Sequence, residues 1–73
     1  MTEEEKQLLS LYRRALIRLA TEDPRYVSNL LIWNRWLDTQ RLKWIYRMEV
    51  EAEAGLPLAV ELVSTATLMR ITQ

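Results

Sequence analysis

The sequence has very few points at which a helix would have to end. Of its 73 residues, three are glycine or proline, and they lie at two places, Pro24 and the short segment from Gly55 to Pro57. Proline is best tolerated in the first turn of a helix, and glycine is common just after the last turn. The chain is therefore predicted to be an all-α, short-long-short three-helix unit (about 3–20, 24–54 and 57–71) in a single domain, 1–73.

Local signals support the starts of these helices. Thr2 and Glu5 have the spacing of a capping box, in which each residue accepts a hydrogen bond from the backbone of the other. Asp23 directly before Pro24 is typical of a second helix start. The last segment also contains β-branched residues that favour a strand, but a lone strand would leave its backbone groups unpaired. A helix is therefore expected there.

The middle helix is predicted to be longer than a compact chain of this size is wide. A straight helix of roughly 30 residues spans about 45 Å, so the first helix can cover only part of it. The chain has no cysteine and no histidine, and so has neither a disulfide nor an ordinary zinc site to stabilise a small core. These features predict a two-fold homodimeric helical bundle, without a metal or cofactor.

One broad face of the middle helix is apolar and is expected to form the core. At 100° per residue its members are Val27, Leu30, Leu31, Leu37, Leu42, Trp44, Ile45, Met48 and Ala52. Trp33 and Trp44 flank this face, and a core role explains them better than a binding role.

Three polar residues interrupt that apolar face. Asn34, Asp38 and Arg41 follow one another at i, i+4 and i+7, where buried charges would need partners. The first helix, folded back, would bring Lys6 towards Asp38 and Glu4 towards Arg41. Alternatively, two antiparallel copies of the middle helix would set Asp38 of one against Arg41 of the other, twice. Both alternatives predict a buried or dimer-forming polar trio.

The opposite side of the middle helix is the predicted partner-binding surface. Tryptophan, tyrosine and arginine are the residues most enriched at binding hot spots, because each combines a large contact area with a polar or charged end. The surface consists of Ile32, Trp36, Gln40, Lys43, Tyr46, Arg47 and Val50. The alternative role for Trp36 is packing within a dimer.

The composition argues against several classes of function. Without histidine, cysteine or a glycine-rich phosphate loop, an enzyme is not expected. Nucleic-acid binding through Arg35, Arg41, Lys43 and Arg47 is the main alternative, although ten cations are balanced by ten anions. The same balance weakens binding to a membrane surface. No apolar run is long enough to span a bilayer and the first residues are acidic, so a cytoplasmic protein is expected.

The remaining class is a small, non-catalytic protein–protein interaction module. Its size, its lack of catalytic chemistry and its concentrated aromatic-cationic surface are typical of regulators and inhibitors that phages and mobile elements encode as accessory proteins. The sequence thus predicts a homodimeric regulator or inhibitor of a protein target, with a nucleic-acid-binding transcriptional regulator as the alternative.

Overall fold

The computed structural model describes residues 1–72, and within that range the chain forms four α-helices and no strand. The helices are α1 (Glu3–Glu22), α2 (Val27–Arg35), α3 (Asp38–Glu53) and α4 (Pro57–Ile71), with a 3₁₀ turn at Pro24–Tyr26 before α2. The predicted all-α class is confirmed. The predicted continuous helix from 24 to 54 is wrong, because it is a 3₁₀ turn and two α-helices, with a break after Arg35.

The start of α1 forms as the sequence indicates. The Thr2 hydroxyl accepts a hydrogen bond from the Glu5 N–H at 3.1 Å, and the Glu5 carboxylate accepts one from the Thr2 N–H at 2.9 Å. These hydrogen bonds, chiefly the one from the Thr2 backbone, lower the pKa of Glu5. α1 ends at Glu22, two residues later than predicted, and Asp23 then caps the 3₁₀ turn by accepting from the Arg25 N–H at 3.0 Å.

The break between α2 and α3 occurs without proline or glycine. Trp36 and Leu37 both have extended backbone angles, with ψ of 154° and 161°. The Leu37 N–H donates to the side-chain oxygen of Gln40 at 2.9 Å. From the first turn of α3, Arg41 reaches back and its Nε donates to the carbonyl of Trp33 at 2.9 Å. Because the last carbonyls of a helix have no partner within it, Arg41 acts as the cap of α2.

Packing against α1 explains why the broken chain is favoured. A continuous middle helix would be about 45 Å long, whereas the longest dimension of the molecule is 30 Å. The break lets both halves cover α1, and α4 packs against α1 and α3. The buried core is Leu11, Tyr12, Ala15, Leu16, Leu19, Tyr26, Trp33, Leu42, Ile45, Met48, Ala59, Leu62 and Ala66. All of these core residues come from one chain. The long middle helix, which was a reason to predict a dimer, is absent because the chain breaks after Arg35.

The turn between α3 and α4 is made by the single glycine. Gly55 has a φ of 84°, which side-chain-bearing residues rarely adopt. Its N–H donates to the Ala52 carbonyl at 3.0 Å, and the Leu56 N–H donates to the Glu51 carbonyl at 3.1 Å. This is the Schellman pattern of helix termination. Pro57 then begins α4, whose bounds coincide with those of the last predicted helix.

The chain direction changes by 107° at this turn. No single helix among residues 1–72 combines the length and hydropathy needed to cross a bilayer; α3 and α4 meet that test only as this bent pair.

Asn34, Asp38 and Arg41 do not lie in the core, so the prediction that this polar trio is buried within one chain is wrong. Its burial between two chains stays a prediction. Within residues 1–72 every buried side chain is aliphatic or aromatic, and none is charged. Asn34 is exposed, and the Asp38 side chain is 52% exposed and pairs at 3.0 Å with Arg41 of its own helix. These residues are exposed because the break changes the direction of the chain, so the face calculated for a straight helix does not apply to them. Asp38 and Arg41 thus have each other as partners, rather than Lys6 and Glu4.

Two tyrosine hydroxyls connect helices that are distant in sequence. Tyr12 of α1 donates to the Glu49 carboxylate of α3 at 3.2 Å, and Tyr26 of the 3₁₀ turn donates to Glu61 of α4. Burial, followed by the effect of the Glu49 carboxylate, raises the pKa of Tyr12. Burial and the hydrogen bond to Glu61 raise the pKa of Tyr26 to about 12. Both phenols therefore hold their protons more tightly in the folded chain.

We predict that Arg41→Ala destabilises the fold more than Asp38→Ala does. Loss of Arg41 removes charged hydrogen bonds to the end of α2 and should cost about 1–3 kcal/mol. Loss of Asp38 removes only a surface ion pair and should cost about 1 kcal/mol or less. Urea unfolding of both variants measures the difference, and Arg41→Lys, which lacks the planar fork, is the control and should resemble Arg41→Ala. If both variants lost the same free energy of unfolding, the Asp38–Arg41 ion pair, and not the hydrogen bonds of Arg41 to the end of α2, would account for the stabilisation.

We also predict a loss of stability in alkali that depends on Tyr26. Because its pKa is raised from the ordinary value of 10.0 to about 12 on folding, the stabilisation is fully present below pH 10 and is lost as the pH rises towards 12. Tyr26→Phe removes this titration, so its free energy of unfolding should fall less over that pH range than that of the unmodified chain. Urea unfolding at a series of pH values checks this. Parallel pH profiles for the two proteins would contradict it.

Candidate protein interaction surface

One exposed side of α3 carries four of the seven predicted partner-binding residues. Lys43, Tyr46, Arg47 and Val50 recur at three- and four-residue steps and are all exposed. We call these four residues the α3 outer face. The opposite side of the helix is fixed in the core by Leu42, Ile45 and Met48. The surface is therefore presented on a rigid element.

Arg47 is held on this face by a neighbour one helical turn away. Its Nε donates to the Glu51 carboxylate at 3.0 Å, and the Arg47 side chain is itself largely exposed. Such a surface pair contributes little to stability but restricts where the guanidinium lies. An arginine beside an exposed tyrosine gives the face both a cation and an aromatic contact.

Tyr46 also borders a surface groove of about 750 Å³ between α1, α3 and α4. Leu8 and Leu11 of α1 supply apolar lining. The remaining lining residues are polar or charged: Glu4, Glu5, Gln7, Ser10, Arg14 and Arg70. The volume lies in the range of small-ligand sites, but those sites are mostly apolar, whereas here charges of both signs surround a small apolar area. Tyr46 therefore belongs both to the lining of this groove and to the α3 outer face.

The break separates Ile32 and Trp36 from this surface, whereas Gln40 lies on the same side of α3 and its side-chain oxygen is engaged with the backbone. Ile32 is exposed but lies on α2, Trp36 is half-buried at the break, and the side chain of Gln40 is used to cap Leu37. Their common face was calculated for a straight helix, and the break changes the angle between residues before and after it. A binding role for the α3 residues stays a prediction, while Trp36 no longer shares their face.

The three tryptophans join α2 to α3. The rings of Trp33 and Trp44 lie 5.9 Å apart, edge to face, and those of Trp36 and Trp44 lie 6.0 Å apart. The Arg41 guanidinium carbon is 5.4 Å from the centre of the Trp33 ring, within the range of a cation–π contact. Trp33 is 1% exposed and Trp44 packs against the core. Three aromatic rings and one cation, Arg41, therefore hold the two helices together at the break.

The described part of the chain was also searched for side chains grouped as metal ligands. Among residues 1–72 no three histidine, cysteine, aspartate or glutamate side chains are grouped so that they could hold a metal ion. Comparisons with protein family models, with characterised proteins and with solved structures find no match to this chain. The chemistry of its exposed surfaces is therefore the basis for assigning a function.

We predict that alanine substitutions separate the residues that stabilise the fold from those of the outer face. Trp33→Ala should cost about 3–5 kcal/mol, since it empties a buried site. Tyr46→Ala and Arg47→Ala should each cost less than about 1 kcal/mol, since neither side chain is buried. The loss of stability for Trp36→Ala should lie between these values, because Trp36 is half-buried. Midpoints of urea unfolding give the order, and a Tyr46→Ala loss as large as that of Trp33→Ala would show that Tyr46 belongs to the fold.

Proposed function

We propose that this chain is a non-catalytic protein-interaction module that binds a protein target through the α3 outer face and regulates or inhibits it. The observation that carries the proposal is the joint exposure of Tyr46, Arg47 and Val50 on a helix whose other side is buried. A tyrosine and an arginine around an aliphatic residue have the composition of interface hot spots.

The rigidity of the surface supports this function. α3 packs against both α1 and α4, and the Tyr12–Glu49 hydrogen bond links it to α1. A surface that is ordered before binding loses little conformational entropy when a partner arrives. The neighbouring groove, which Tyr46 borders, offers a recess for one side chain of the target.

The positions of the cations favour a protein target over nucleic acid. Of the four cations in the alternative interpretation, Arg41 donates to the carbonyl at the end of α2 and to Asp38, and Arg47 pairs with Glu51. A phosphate contact by Arg41 would compete with its hydrogen bonds to the end of α2, whereas the exposed Arg47–Glu51 pair restrains Arg47 only weakly. Because the formal net charge is zero, long-range attraction to a polyanion is weak. A transcriptional regulator that binds nucleic acid therefore remains the second choice.

The proposed module works as a homodimer in the cytoplasm and is of the accessory type that phages and mobile elements encode. Self-association no longer depends on a long central helix. It is supported instead by large apolar side chains that the folded chain leaves exposed, among them Leu68 and Ile71.

A capture experiment with matched variants tests the proposed target-binding surface. The immobilised chain is mixed with lysate of its source cells, alongside Tyr46→Ala/Arg47→Ala and a control, Arg13→Ala/Ile17→Ala, which changes exposed residues on α1. We expect a specific protein to be retained by the unmodified chain and the control. The outer-face variant should bind it at least about 30-fold more weakly, as expected for a hot spot of about 2 kcal/mol.

Two results would contradict the proposal. Equal retention of the same protein by the unmodified chain and the outer-face variant would place the binding surface elsewhere. Recovery of nucleic acid that disappears at high salt would favour the alternative function.

A further inference from the structure

Only two backbone angles separate the broken chain from a continuous helix. Trp36 and Leu37 have φ of −79° and −78°, which a helix also allows, and it is their ψ values of 154° and 161° that end α2 before α3 begins. The sequence itself favours a helix here, because no glycine or proline lies between Pro24 and Gly55. Leucine is also a poor N-cap, since it has no side-chain oxygen. Rotation of two ψ angles would therefore join α2 and α3.

We infer that two copies of this chain form a dimer by exchanging halves at this break. The N-terminal half is α1, the 3₁₀ turn and α2, and the C-terminal half is α3 and α4. In the dimer, α2 and α3 become one helix over residues 27–53, and the N-terminal half of each copy packs on the C-terminal half of the other. The inference rests on the homodimer in the proposed function and specifies how its two copies pair.

The length of the joined helix is the reason that a second copy is needed. A helix over residues 27–53 is about 40 Å long, whereas the longest dimension of the single chain is 30 Å. The joined helix would hold the two halves apart, so α1 could no longer pack against α3 and α4 of its own chain as it does in the closed form. Leu16 and Leu62, each 1% exposed in the closed form, would then meet water. A second copy opened in the same way supplies the missing half to each side.

The contacts between the halves are the same in the closed chain and in the exchanged dimer. Tyr12 donates to Glu49 and Tyr26 donates to Glu61, and each pair joins one half to the other. In the dimer the same groups meet across two chains. These contacts therefore do not decide between the two forms. The balance depends on the residues at the break and on the protein concentration.

The hydrogen bonds at the break differ between the two forms. In the single chain the carbonyls of Trp33 and Asn34 accept from the Arg41 guanidinium, and the Leu37 N–H donates to Gln40. In a continuous helix the N–H groups that follow the break donate instead to carbonyls four residues earlier. The Arg41 contacts with the end of α2 therefore stabilise only the single chain, whereas these backbone hydrogen bonds stabilise only the dimer.

The exposure of Leu37 also favours the joined helix. This side chain is 72% exposed in the single chain. Leu37 lies four residues after Trp33 and seven before Trp44, and residues at these spacings share one side of a continuous helix. Trp33 is buried, and Trp44 packs against the core. Joining the helices therefore moves an exposed leucine to the side on which the halves pack.

Refolding the full chain at different concentrations tests for the dimer. The chain is refolded from urea at low and at high micromolar concentration, and its mass is then measured by analytical ultracentrifugation. The mass after refolding at high concentration should rise from 8.7 kDa towards twice that value. Because the halves must separate before they can exchange, the dimer should revert only slowly after dilution, so that the two forms can be isolated by size-exclusion chromatography.

Asp38→Pro tests the joined helix directly. Asp38 begins α3, where proline is tolerated, and Leu37 already has the extended backbone that a following proline requires. Inside a continuous helix the same proline would remove a hydrogen bond and clash with the carbonyl of Asn34. This variant should fold as a single chain and dimerise at least about a hundredfold more weakly. The matched control is Asp38→Ala, which loses the same ion pair with Arg41 but permits the helix, and should dimerise like the unmodified chain.

Arg41→Ala should change the balance in the opposite direction. It removes the donors that end α2 in the single chain and that a continuous helix does not use. The dimerisation constant should therefore rise at least about tenfold. A dimerisation constant that falls in Arg41→Ala would overturn the inference, since it would place the Arg41 contacts in the dimer as well.

Hydrogen exchange distinguishes an exchanged dimer from two closed chains that associate. The N–H groups of Asp38, Thr39 and Gln40 lie in the first turn of α3, where a helix offers them no carbonyl. In the joined helix each has one, so their exchange should be at least about tenfold slower in the isolated dimer than in the single chain. Equal exchange in the two forms, or dimers that form as readily with Asp38→Pro, would overturn the inference.

The remaining outcomes separate this inference from the proposed target binding. A mass of 8.7 kDa for the unmodified chain and for Arg41→Ala at every concentration would overturn the exchange. Target capture by Asp38→Pro would then still support the α3 outer face, because that variant leaves the face unchanged. Conversely, if Tyr46→Ala/Arg47→Ala dimerises normally and captures the target as well as the unmodified chain, the proposed binding surface fails and the exchange stands.

Discussion

The contact that Arg41 makes with the end of α2 is the interaction on which the rest of the structure depends. The last carbonyls of a helix need donors, and the chain has neither glycine nor proline at this point to end the helix. Arg41 provides donors to Trp33 and Asn34, and Gln40 accepts from the first free N–H of α3. These contacts compensate for the backbone hydrogen bonds that a continuous helix would have made, and so allow the chain to fold back.

The break after Arg35 decides which helices pack against each other and which helix faces stay exposed. α2 and α3 both pack against α1, α4 packs against α1 and α3, and the core closes within one chain. Two helix faces are left uncovered, and they differ in chemistry. The α3 outer face has a tyrosine and cations, whereas the exposed side of α4 is mostly apolar, with Val60, Leu68 and Ile71 beside the carboxylate of Glu61.

Much of the fold was predictable because its signals are local. The capping box at Thr2, the first-turn Pro24 and the turn at Gly55 each act within a few residues. The break at Trp36 was not predictable in this way, since its energetic basis is burial of both halves on α1, and tertiary packing overrides weak local preference. The spacing from Leu37 to Gln40 was a faint signal, because leucine lacks a capping oxygen. The predicted partner-binding residues that lie after the break share one face, as expected. The face predicted for Ile32 and Trp36 was calculated for a straight helix that does not continue past Arg35.

The shortness of α2 has a consequence for the dynamics of the chain. A helix of nine residues is too short to persist in water by itself, so it stays helical only while its neighbours hold it. Its end is held by one guanidinium, and its buried anchor is the Trp33 ring beneath that guanidinium. We therefore expect the amide protons of α2 to exchange with solvent through a local opening in which the Arg41 contacts and the tryptophan ring contacts are lost together, while α1, α3 and α4 remain packed.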